Sequence, residues 1–225
     1  MVAKPIVTAD EAVELIREGD TVMVGGFLGC GSPPGLIDAL EKRGTRNLTL
    51  VCNDTAFHNF KTGVCTHVAK LVAKKQFRKI VVSHIGTNQE TQRQMNEGET
   101  EVVLVPQGTL AERIRAAGAG LGGVLTPTGV GTEVQDGKQV VELDGRKYLL
   151  EKALPGDVAL LRAKKADKAG NLIFDKAARN FNPLIAMACR TVIVEADEIV
   201  EIGRLDPEIV VTPSVLVHYL VRAKK

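Results

Sequence analysis

Residues 21–44, TVMVGGFLGCGSPPGLIDALEKRG, decide the fold that this sequence predicts. The apolar run TVMV is typical of a buried strand, and LIDALEKRG is typical of a helix that ends at a glycine. Between them lies GGFLGCGSPPG, whose glycines free the backbone and whose prolines suit the entry to a helix. Strand, loop and helix in this order predict one unit of a parallel sheet, and they leave open whether a nucleotide, a sugar phosphate or a thioester approaches the loop.

Apolar runs and helical segments alternate along the first half of the chain. Strands are expected at TVMVGGF (21–27), LTLVCND (48–54), KIVVSHIG (79–86) and EVVLVP (101–106), and helices at LIDALEKR, VAKLVAKKQ, ETQRQMNEG and TLAERIRAAGA. The capping box Thr8-x-x-Glu11 predicts an earlier helix from residue 9 to Gly19. Strands that are apolar on both faces and alternate with helices predict an α/β fold with a mostly parallel sheet covered on each side.

Residues 126–152, TPTGVGTEVQDGKQVVELDGRKYLLEK, have a different pattern. Two Asp-Gly pairs lie between alternating runs, and this predicts an excursion of antiparallel hairpins. A strand at DVALLRA (157–163), a helix around NPLIAMAC and a strand at TVIVEA (191–196) are expected to follow. No internal repeat is visible, so we expect residues 1–225 to form one domain that carries the hairpin excursion.

Composition excludes several classes of function. The net charge is +2, Lys and Arg are dispersed and Trp is absent, so no nucleic-acid surface is expected. The longest apolar runs are far shorter than the ~20 residues of a membrane helix, and MVAKPIVTADEA lacks the apolar segment of a signal peptide. The four cysteines, whose spacing fits no zinc pattern, are Cys30, Cys52, Cys65 and Cys189. We therefore expect a cytoplasmic protein with reduced thiols, no metal site and no contact with nucleic acid or membrane.

Motifs that would identify an internal catalyst are incomplete. The dinucleotide pattern G-x-G-x-x-G fits at Gly29 and Gly31 but meets Pro34 at its third position, and the phosphate loop G-x-x-x-x-G-K-[ST] is absent. The four histidines do not have the spacing of a metal cluster, and His84 is expected to be a hydrogen-bonded structural residue. We expect Cys30 to be a small side chain in a crowded loop rather than a nucleophile.

The loops after the predicted strands are GGFLGCGSPPG, NDTAFHN, HIGTNQE and VPQGTLAE. In a parallel sheet, ligands gather at the carboxyl ends of the strands. These loops offer backbone amides and neutral hydrogen-bonding side chains, with few clustered carboxylates. They predict a binding rim, with a phosphate or acyl group near a helix start, and no evident catalyst of its own.

Eight stretches in register resemble the alpha subunit of the family I 3-oxoacid-type coenzyme A (CoA) transferases. They are GDTVMVGGFLGCGSPPGLIDAL, LTLVCNDTAF, SHIGTN, VPQGTLAERIRAAGAG, LTPTGVGT, ADKAGNL, ARNFNPLIAMA and LDPEIVVTP. The similarity runs over nearly the whole chain and looks greatest to the bacterial acetate/butyrate–acetoacetate transferases. It implies the CoA-transferase fold, which is sugar-isomerase-like: three α/β/α layers around a seven-stranded mixed sheet.

The resemblance also implies which residues bind substrate. CoA, a substrate and not a cofactor, would bind at Gly25, Gly26, Phe27, Leu28, Gly29, Cys30 and Gly31. Asn53 and Gln107 would hold the carboxylate or acyl oxygen of a short-chain acid. The catalytic glutamate would come from a Ser-Glu-Asn-Gly type motif of a homologous beta subunit in an α2β2 assembly, and this sequence has no such motif. Ping-pong transfer of this kind needs no metal and no cofactor.

Two features depart from the family's pattern. The stretch FHNFKTGVCTHVAKLVAKKQ (57–76) replaces a short Gly-Ile-Gly segment, so we expect this loop to be repositioned or without a role in the site. Val124 stands where an aromatic residue is frequent, which predicts a change in pocket size.

Other functions are compatible with the same pattern. A non-catalytic ligand-binding or sensor protein on this scaffold would also have a binding rim without a catalyst. A sugar-phosphate isomerase would need an internal base beside the glycine-rich loop, and a dehydrogenase is disfavoured by Pro34. The sequence does not distinguish between acetyl, butyryl and acetoacetyl groups, since one methylene changes discrimination by only ~1–3 kcal/mol.

Overall fold

The computed structural model of the protein describes residues 2–224. Its strands are β1 (Ile6–Val7), β2 (Thr21–Val24), β3 (Leu48–Val51), β4 (Phe77–Val82), β5 (Glu101–Leu104), β6 (Gly123–Thr126), β7 (Val140–Leu143), β8 (Arg146–Lys152), β9 (Gly156–Asp167), β10 (Leu172–Ile173), β11 (Cys189–Val200) and β12 (Tyr219–Arg222). Its α-helices are α1 (Ala9–Val13), α2 (Pro34–Arg43), α3 (Ala69–Ala73), α4 (Gln89–Asn96), α5 (Gln107–Gly118) and α6 (Asn182–Ala188). None of these helices is long and apolar enough to cross a membrane.

The large sheet has nine strands in the order β1-β12-β11-β9-β2-β3-β4-β5, with β10 paired to β9. Every pair along this path is parallel, and the β9–β10 pair is antiparallel. The two strands beyond the seven that the resemblance implied are β1 and β10, each only two residues long. The mostly parallel mixed sheet that the sequence predicted is therefore confirmed.

Helices cover both faces of this sheet. Successive strand residues point to opposite faces, so Val22 and Val24 of β2 join the core cluster that contains α1, α2 and α3, while Met23 joins the cluster that contains α5 and α6. The same division holds in β3 and β4, where alternate residues enter the two clusters. Two apolar cores on either side of one sheet make the three α/β/α layers.

The strands of the first half end earlier than predicted. Expected to end at residues 27, 54, 86 and 106, they end at Val24, Val51, Val82 and Leu104. The residues beyond each end are mostly polar or glycine and form loops at one edge of the sheet. In the second half the difference is reversed, since β9 and β11 are each twelve residues long and extend beyond the predicted bounds.

Helix α1 is also shorter than predicted and ends at Val13 rather than Gly19. Its start has the expected capping box, with Thr8 and Glu11 exchanging hydrogen bonds. After Val13 the chain continues in single turns, and the Arg43 guanidinium donates to the carbonyl oxygens of Val13 and Ile16. A side chain from α2 thus satisfies carbonyl groups that further helical turns would have used.

The hairpin excursion contains one hairpin where two were expected. Asp144 and Gly145 have positive φ angles of 50° and 74° and close the β7–β8 hairpin, as a two-residue turn requires. Asp136-Gly137 follows a short 3-10 helix instead, and β6 completes a three-stranded antiparallel sheet by pairing with β8. Val124 lies on β6 in this small sheet and is not among the residues that line the pocket described below, so its effect on pocket size stays a prediction.

Candidate functional site

Four loops meet at the carboxyl ends of β2, β3, β4 and β5, and between them lies a pocket of about 350 Å³. The residues that line this pocket are Phe27, Leu28, Asn53, Asp54, Ser83, His84 and Gln107. Adjacent parallel strands bring their carboxyl ends to one edge, which is why residues far apart in the chain become neighbours here. Residues from the four loops of the predicted rim therefore line one pocket.

The glycine-rich loop (residues 25–35) begins with a tight turn at its tip. The N–H groups of Phe27 and Cys30 donate to each other's carbonyl oxygens over 3.0 and 2.9 Å, around Leu28 and Gly29. Both central residues have positive φ angles, 47° and 88°, a conformation that leucine rarely adopts. The N–H of Leu28 donates to Oδ2 of Asp54 over 2.8 Å, and this bond holds the turn in place.

Four glycines of this loop make room for the protein's own atoms. A Cβ atom on Gly25 would lie 1.9 Å from Oδ1 of Asn182, and one on Gly26 would lie 2.1 Å from Oγ of Ser32. On Gly29 it would lie 2.3 Å from the His67 ring, and on Gly31 it would lie 2.5 Å from the Ala178 carbonyl oxygen. These positions are filled from within the chain, so the close approach that the sequence indicated is made by protein groups at these four residues.

Residues 176–182 hold the loop from its other side. The Asn180 side chain accepts from the Gly26 N–H over 3.1 Å and donates to the Cys30 carbonyl oxygen over 2.9 Å. The buried Asn182 side chain donates to the carbonyl oxygens of Gly31 and Ala178 over 3.0 and 2.8 Å. The sequence left open whether Asn180 binds a phosphate or carboxylate or ties down the loop, and Asn182 was not identified at all, because its partner in the loop is 151 positions away.

The end of the loop is anchored by Glu195 of β11. Its buried carboxylate accepts from the N–H of Leu36, in the first turn of α2, over 2.9 Å. Burial raises the pKa of this carboxyl group, and the backbone hydrogen bonds oppose that rise. A carboxylate at a helix N-terminus uses N–H groups that an anionic ligand would otherwise bind. In this structure the α2 N-terminus is therefore occupied by the protein itself.

The Asp54 carboxylate is turned into the scaffold although it forms part of the pocket wall. Its oxygens accept hydrogen bonds over 2.8 Å from the N–H groups of Leu28 and Ala56 and from Nδ2 of Asn53. Three donors satisfy the negative charge, so it does not stand open toward an anionic substrate. The Asp54 carboxylate thus links the β2 loop to the β3 loop by hydrogen bonds.

Asn53 and Gln107, the two predicted substrate-binding residues, are in contact. Nε2 of Gln107 donates to Oδ1 of Asn53 over 2.6 Å, and Oγ of Ser83 lies 3.1 Å from the same oxygen. Asn53 is 2% exposed, whereas Gln107 is exposed at the first turn of α5. The result is a preorganised set of neutral amide donors beside free N–H groups of a helix start.

The His84 imidazole lines the same pocket, and its surroundings differ from those that the sequence predicted. Its ring is exposed and makes no hydrogen bond to any other residue within 2–224, so the prediction of a hydrogen-bonded structural histidine is wrong. The signal for a site residue was its position just after β4.

The divergent 57–76 stretch supports the glycine-rich loop. His67 has a positive φ of 49°, and its ring occupies the space that a side chain on Gly29 would need. Burial, reinforced by Lys70 and Arg162, lowers the pKa of His67, so the ring is held neutral. The segment therefore packs behind the glycine-rich loop, and whether it is repositioned or without a role in the site stays a prediction.

The thiols do not form a nucleophilic centre among the described residues. Burial raises the pKa of Cys52 and of Cys189, which favours the unreactive protonated form. Cys30 is exposed on the loop, where its backbone groups pair with Phe27. Residues 2–224 also contain no group of three or more His, Cys, Asp and Glu side chains placed to hold a metal ion.

Proteins of similar sequence match almost the whole chain. The acetate CoA-transferase subunit alpha of Escherichia coli K12 is 51% identical over 216 residues, which are 96% of this chain and 96% of that protein. The acetoacetyl-CoA:acetate/butyrate CoA transferase alpha subunit of Clostridium acetobutylicum is 44% identical over 217 residues, 96% of this chain and 97% of that protein.

A solved structure agrees with these relatives. The apoenzyme of an acyl-CoA transferase from Escherichia coli O157:H7 superposes with a TM-score of 0.86 at 25% identity, over 98% of this chain and 47% of the other. This chain thus spans about half the length of that transferase. The family model described as coenzyme A transferase matches residues 6–223. The chain belongs to the coenzyme A transferase family.

Proposed function

We propose that this chain is the alpha subunit of an enzyme that moves CoA between a short-chain acyl-CoA and a free carboxylate. Acetyl, butyryl and acetoacetyl groups are the candidate acyl groups. The single observation that carries the proposal is the pocket at the ends of β2 to β5, which offers neutral amide donors and whose one carboxylate among the described residues, that of Asp54, is already engaged by three hydrogen-bond donors. Such a pocket suits half of an active site, whose reacting carboxylate comes from another subunit.

The reaction divides between the two subunits as follows. A glutamate carboxylate of the beta subunit attacks the thioester carbonyl, forms an acyl-glutamyl anhydride and expels CoA thiolate. The thiolate attacks the glutamyl carbonyl of the anhydride, forms a glutamyl-CoA thioester and releases the first carboxylate. The incoming carboxylate reverses both steps and leaves as the new acyl-CoA. Each step conserves charge and needs neither a metal nor a cofactor.

This chain stabilises the charge that develops during those steps. Negative charge collects on the carbonyl oxygen when the thioester is attacked, and the amide of Gln107, fixed by its bond to Asn53, is placed to donate to it. A donor that is already oriented costs no reorganisation during the reaction, and removing one such donor typically costs about 100-fold or more in rate.

CoA lies along the glycine-rich loop in this proposal. Phe27 is 44% exposed at the loop tip and lines the pocket with Leu28, so these two side chains offer apolar contact to the pantetheine arm. The role of Gly25, Gly26, Gly29 and Gly31 is to let the loop pack closely enough to present that tip, and Cys30 closes its turn.

A beta subunit completes the enzyme in this proposal, in an α2β2 assembly that works in the cytoplasm. The names of both relatives support a partner chain, because each protein is called an alpha subunit. Asp54, the one carboxylate lining the described pocket, is engaged by three donors. This supports a reacting carboxylate that enters from outside this chain.

The test is CoA transfer from acetoacetyl-CoA to acetate by this chain alone, by its candidate beta subunit alone and by the mixture. We expect transfer only in the mixture. Full transfer by this chain alone would contradict the division of labour. Binding of acyl-CoA by the mixture without turnover would favour the ligand-binding or sensor protein instead.

A further inference from the structure

The free acid that enters the pocket is an anion, and the donors that Gln107 and the start of α5 offer it are uncharged. Asn53, Ser83 and Gln107 are neutral, and Asp54 is negative although its oxygens are engaged. Among residues 2–224, no lysine or arginine lines the pocket. An anion beside Asp54 therefore needs a compensating group that can donate a hydrogen bond or carry positive charge.

The His84 imidazole lies in the same lining and can meet this need in addition to the Gln107 amide. Its ring is exposed toward the pocket and forms no hydrogen bond with another residue of 2–224, so an N–H remains free to donate. A ring N–H and a carboxylate oxygen form a charge-assisted hydrogen bond, one of the stronger kinds in proteins.

The local backbone fixes where this ring lies. The N–H of Ser83 donates to the Asn53 carbonyl oxygen over 2.9 Å, and His84 pairs with Asp54 in a parallel bridge, so the β3 and β4 ends are held in register. A Cβ atom on Gly86 would lie 2.8 Å from Cε1 and 3.1 Å from Nε2 of His84. Gly86 therefore leaves room for the ring, and a larger residue there would displace it.

We propose that the His84 imidazole binds the carboxylate of the free acid substrate and so sets the affinity of the enzyme for that acid. This inference rests on the proposed function, whose acceptor substrate it concerns. The acyl-CoA thioester has no anionic oxygen at its acyl end, so the contact with His84 forms with the free acid and not with the thioester. Replacement of His84 should therefore change KM for the free acid and KM for the acyl-CoA by different factors.

The experiment measures KM for acetate and KM for acetoacetyl-CoA separately, in the assembled enzyme, for the wild type and His84→Leu. Loss of the donor is expected to raise KM for acetate about tenfold, as loss of one charge-assisted hydrogen bond does, and to change KM for acetoacetyl-CoA by less than about twofold. His84→Gln keeps an N–H donor and should recover part of the acetate affinity. His58→Gln, a histidine outside the pocket lining, is the matched control and should leave both values unchanged.

A second variant and a direct binding measurement distinguish loss of the His84 contact from a folding defect of the first variant. Gly86→Ala displaces the ring without removing it and should raise KM for acetate in the same direction. Saturation-transfer NMR should detect acetate on the wild-type complex and lose that signal in His84→Leu, while acetamide, which is neutral and of the same shape, should respond equally to both proteins.

Two results would overturn the proposal. One is an unchanged KM for acetate in His84→Leu, and the other is an equal rise of both KM values, which would mark a general structural role. A wild-type complex that transfers no CoA would refute the proposed function, and acetate binding in the NMR experiment would then decide the role of His84 on its own.

Discussion

The glycine-rich loop and the ends of β3 to β5 form two halves of one rim, but they differ in how tightly the rest of the protein packs against them. In the loop, Asn182, Ser32, His67 and the Ala178 carbonyl group already occupy the space beside the glycines. At the strand ends, the Gln107 amide and the His84 ring face an open pocket. The first region is packed like a core, and the second is arranged like a binding site.

This difference shows that the glycines of a loop in a ligand-binding fold need not make room for the ligand. Absence of side chains can serve the packing of the loop against its own scaffold, which then presents a few non-glycine residues such as Phe27. Substitutions in the two regions should therefore fail differently: loop changes should cost stability, and strand-end changes should cost turnover.

The largest effect should come from Gly25→Ala. Its new methyl group would lie 1.9 Å from Oδ1 of the buried Asn182, which cannot move without losing its bonds to the loop. We expect the free energy of unfolding, measured in urea, to fall by about 3 kcal/mol, as for an overpacked core position. Gly122→Ala is the control, because nothing lies within 4 Å of the added atom. Equal stability of the two variants would contradict the packed-loop account.

At the strand ends, Asn53→Asp should abolish most turnover. The variant keeps the side-chain shape but loses the donor to Asp54 and places a second carboxylate beside it. We expect kcat/KM for CoA transfer to fall about 100-fold, as for loss of a preorganised electrostatic environment. Steady-state assays of the assembled enzyme measure it. A change below about threefold would mean that the amide pair lies outside the reaction site.

Asp54 joins the two regions, and Asp54→Asn should loosen the loop. An amide in its place presents an NH2 group to at least one of the backbone N–H donors, those of Leu28 and Ala56. We expect a loss of about 2 kcal/mol of unfolding free energy, the cost of leaving a buried donor unpaired. Asp144→Asn, in the exposed β7–β8 turn where asparagine is equally suited, provides the control. If both variants unfold at the same urea concentration, the hydrogen bonds of Asp54 do not stabilise the link between the β2 and β3 loops.

The smallest effect concerns pH and His67, which fills the space beside Gly29. Burial lowers the pKa of His67 in the folded protein, so below the usual histidine pKa of about 6.5 the unfolded chain binds a proton more readily than the folded chain. Stability from the neutral ring is complete above that value and is lost as pH falls toward the folded pKa.

Urea unfolding of the wild type and His67→Gln at pH values of about 7.5, 6.5 and 5.5, which bracket the usual histidine pKa, measures this loss. The wild type should lose more stability on acidification than the variant, which cannot take up the proton. Parallel pH curves for the two proteins would show that the ring is not held neutral against the loop.

The fold was largely predictable because its signals are local. Alternating apolar residues such as Val22, Met23 and Val24 identify a strand buried on both faces, and the order of strands and helices identifies a parallel sheet. Strand ends were placed too late, since the residues that follow keep single backbone hydrogen bonds to the neighbouring strand, such as that from the Ser83 N–H to the Asn53 carbonyl oxygen, but do not continue the regular ladder. The short α1 escaped prediction because Arg43, thirty positions away, satisfies its last carbonyl groups.

The site was only partly predictable. Asn53 and Gln107 were selected through the family resemblance, and the structure places both in one pocket. The partners of the glycines could not be found from sequence, because Asn182 and His67 reach them through tertiary contacts that leave no local pattern. For His84, the same sequence is compatible with a bonded or a free ring, and only the tertiary structure, which puts the ring in the pocket lining, distinguishes them.

The most direct test of the account is to locate the residue that carries CoA. The assembled enzyme is treated with acetoacetyl-CoA and then with borohydride, which reduces a glutamyl-CoA thioester to an alcohol, and both chains are mapped by mass spectrometry. We predict one reduced glutamate on the beta subunit and none on this chain. A reduced carboxylate within these 225 residues, at Asp54 or elsewhere, would contradict the claim that this chain supplies the pocket and its partner supplies the nucleophile.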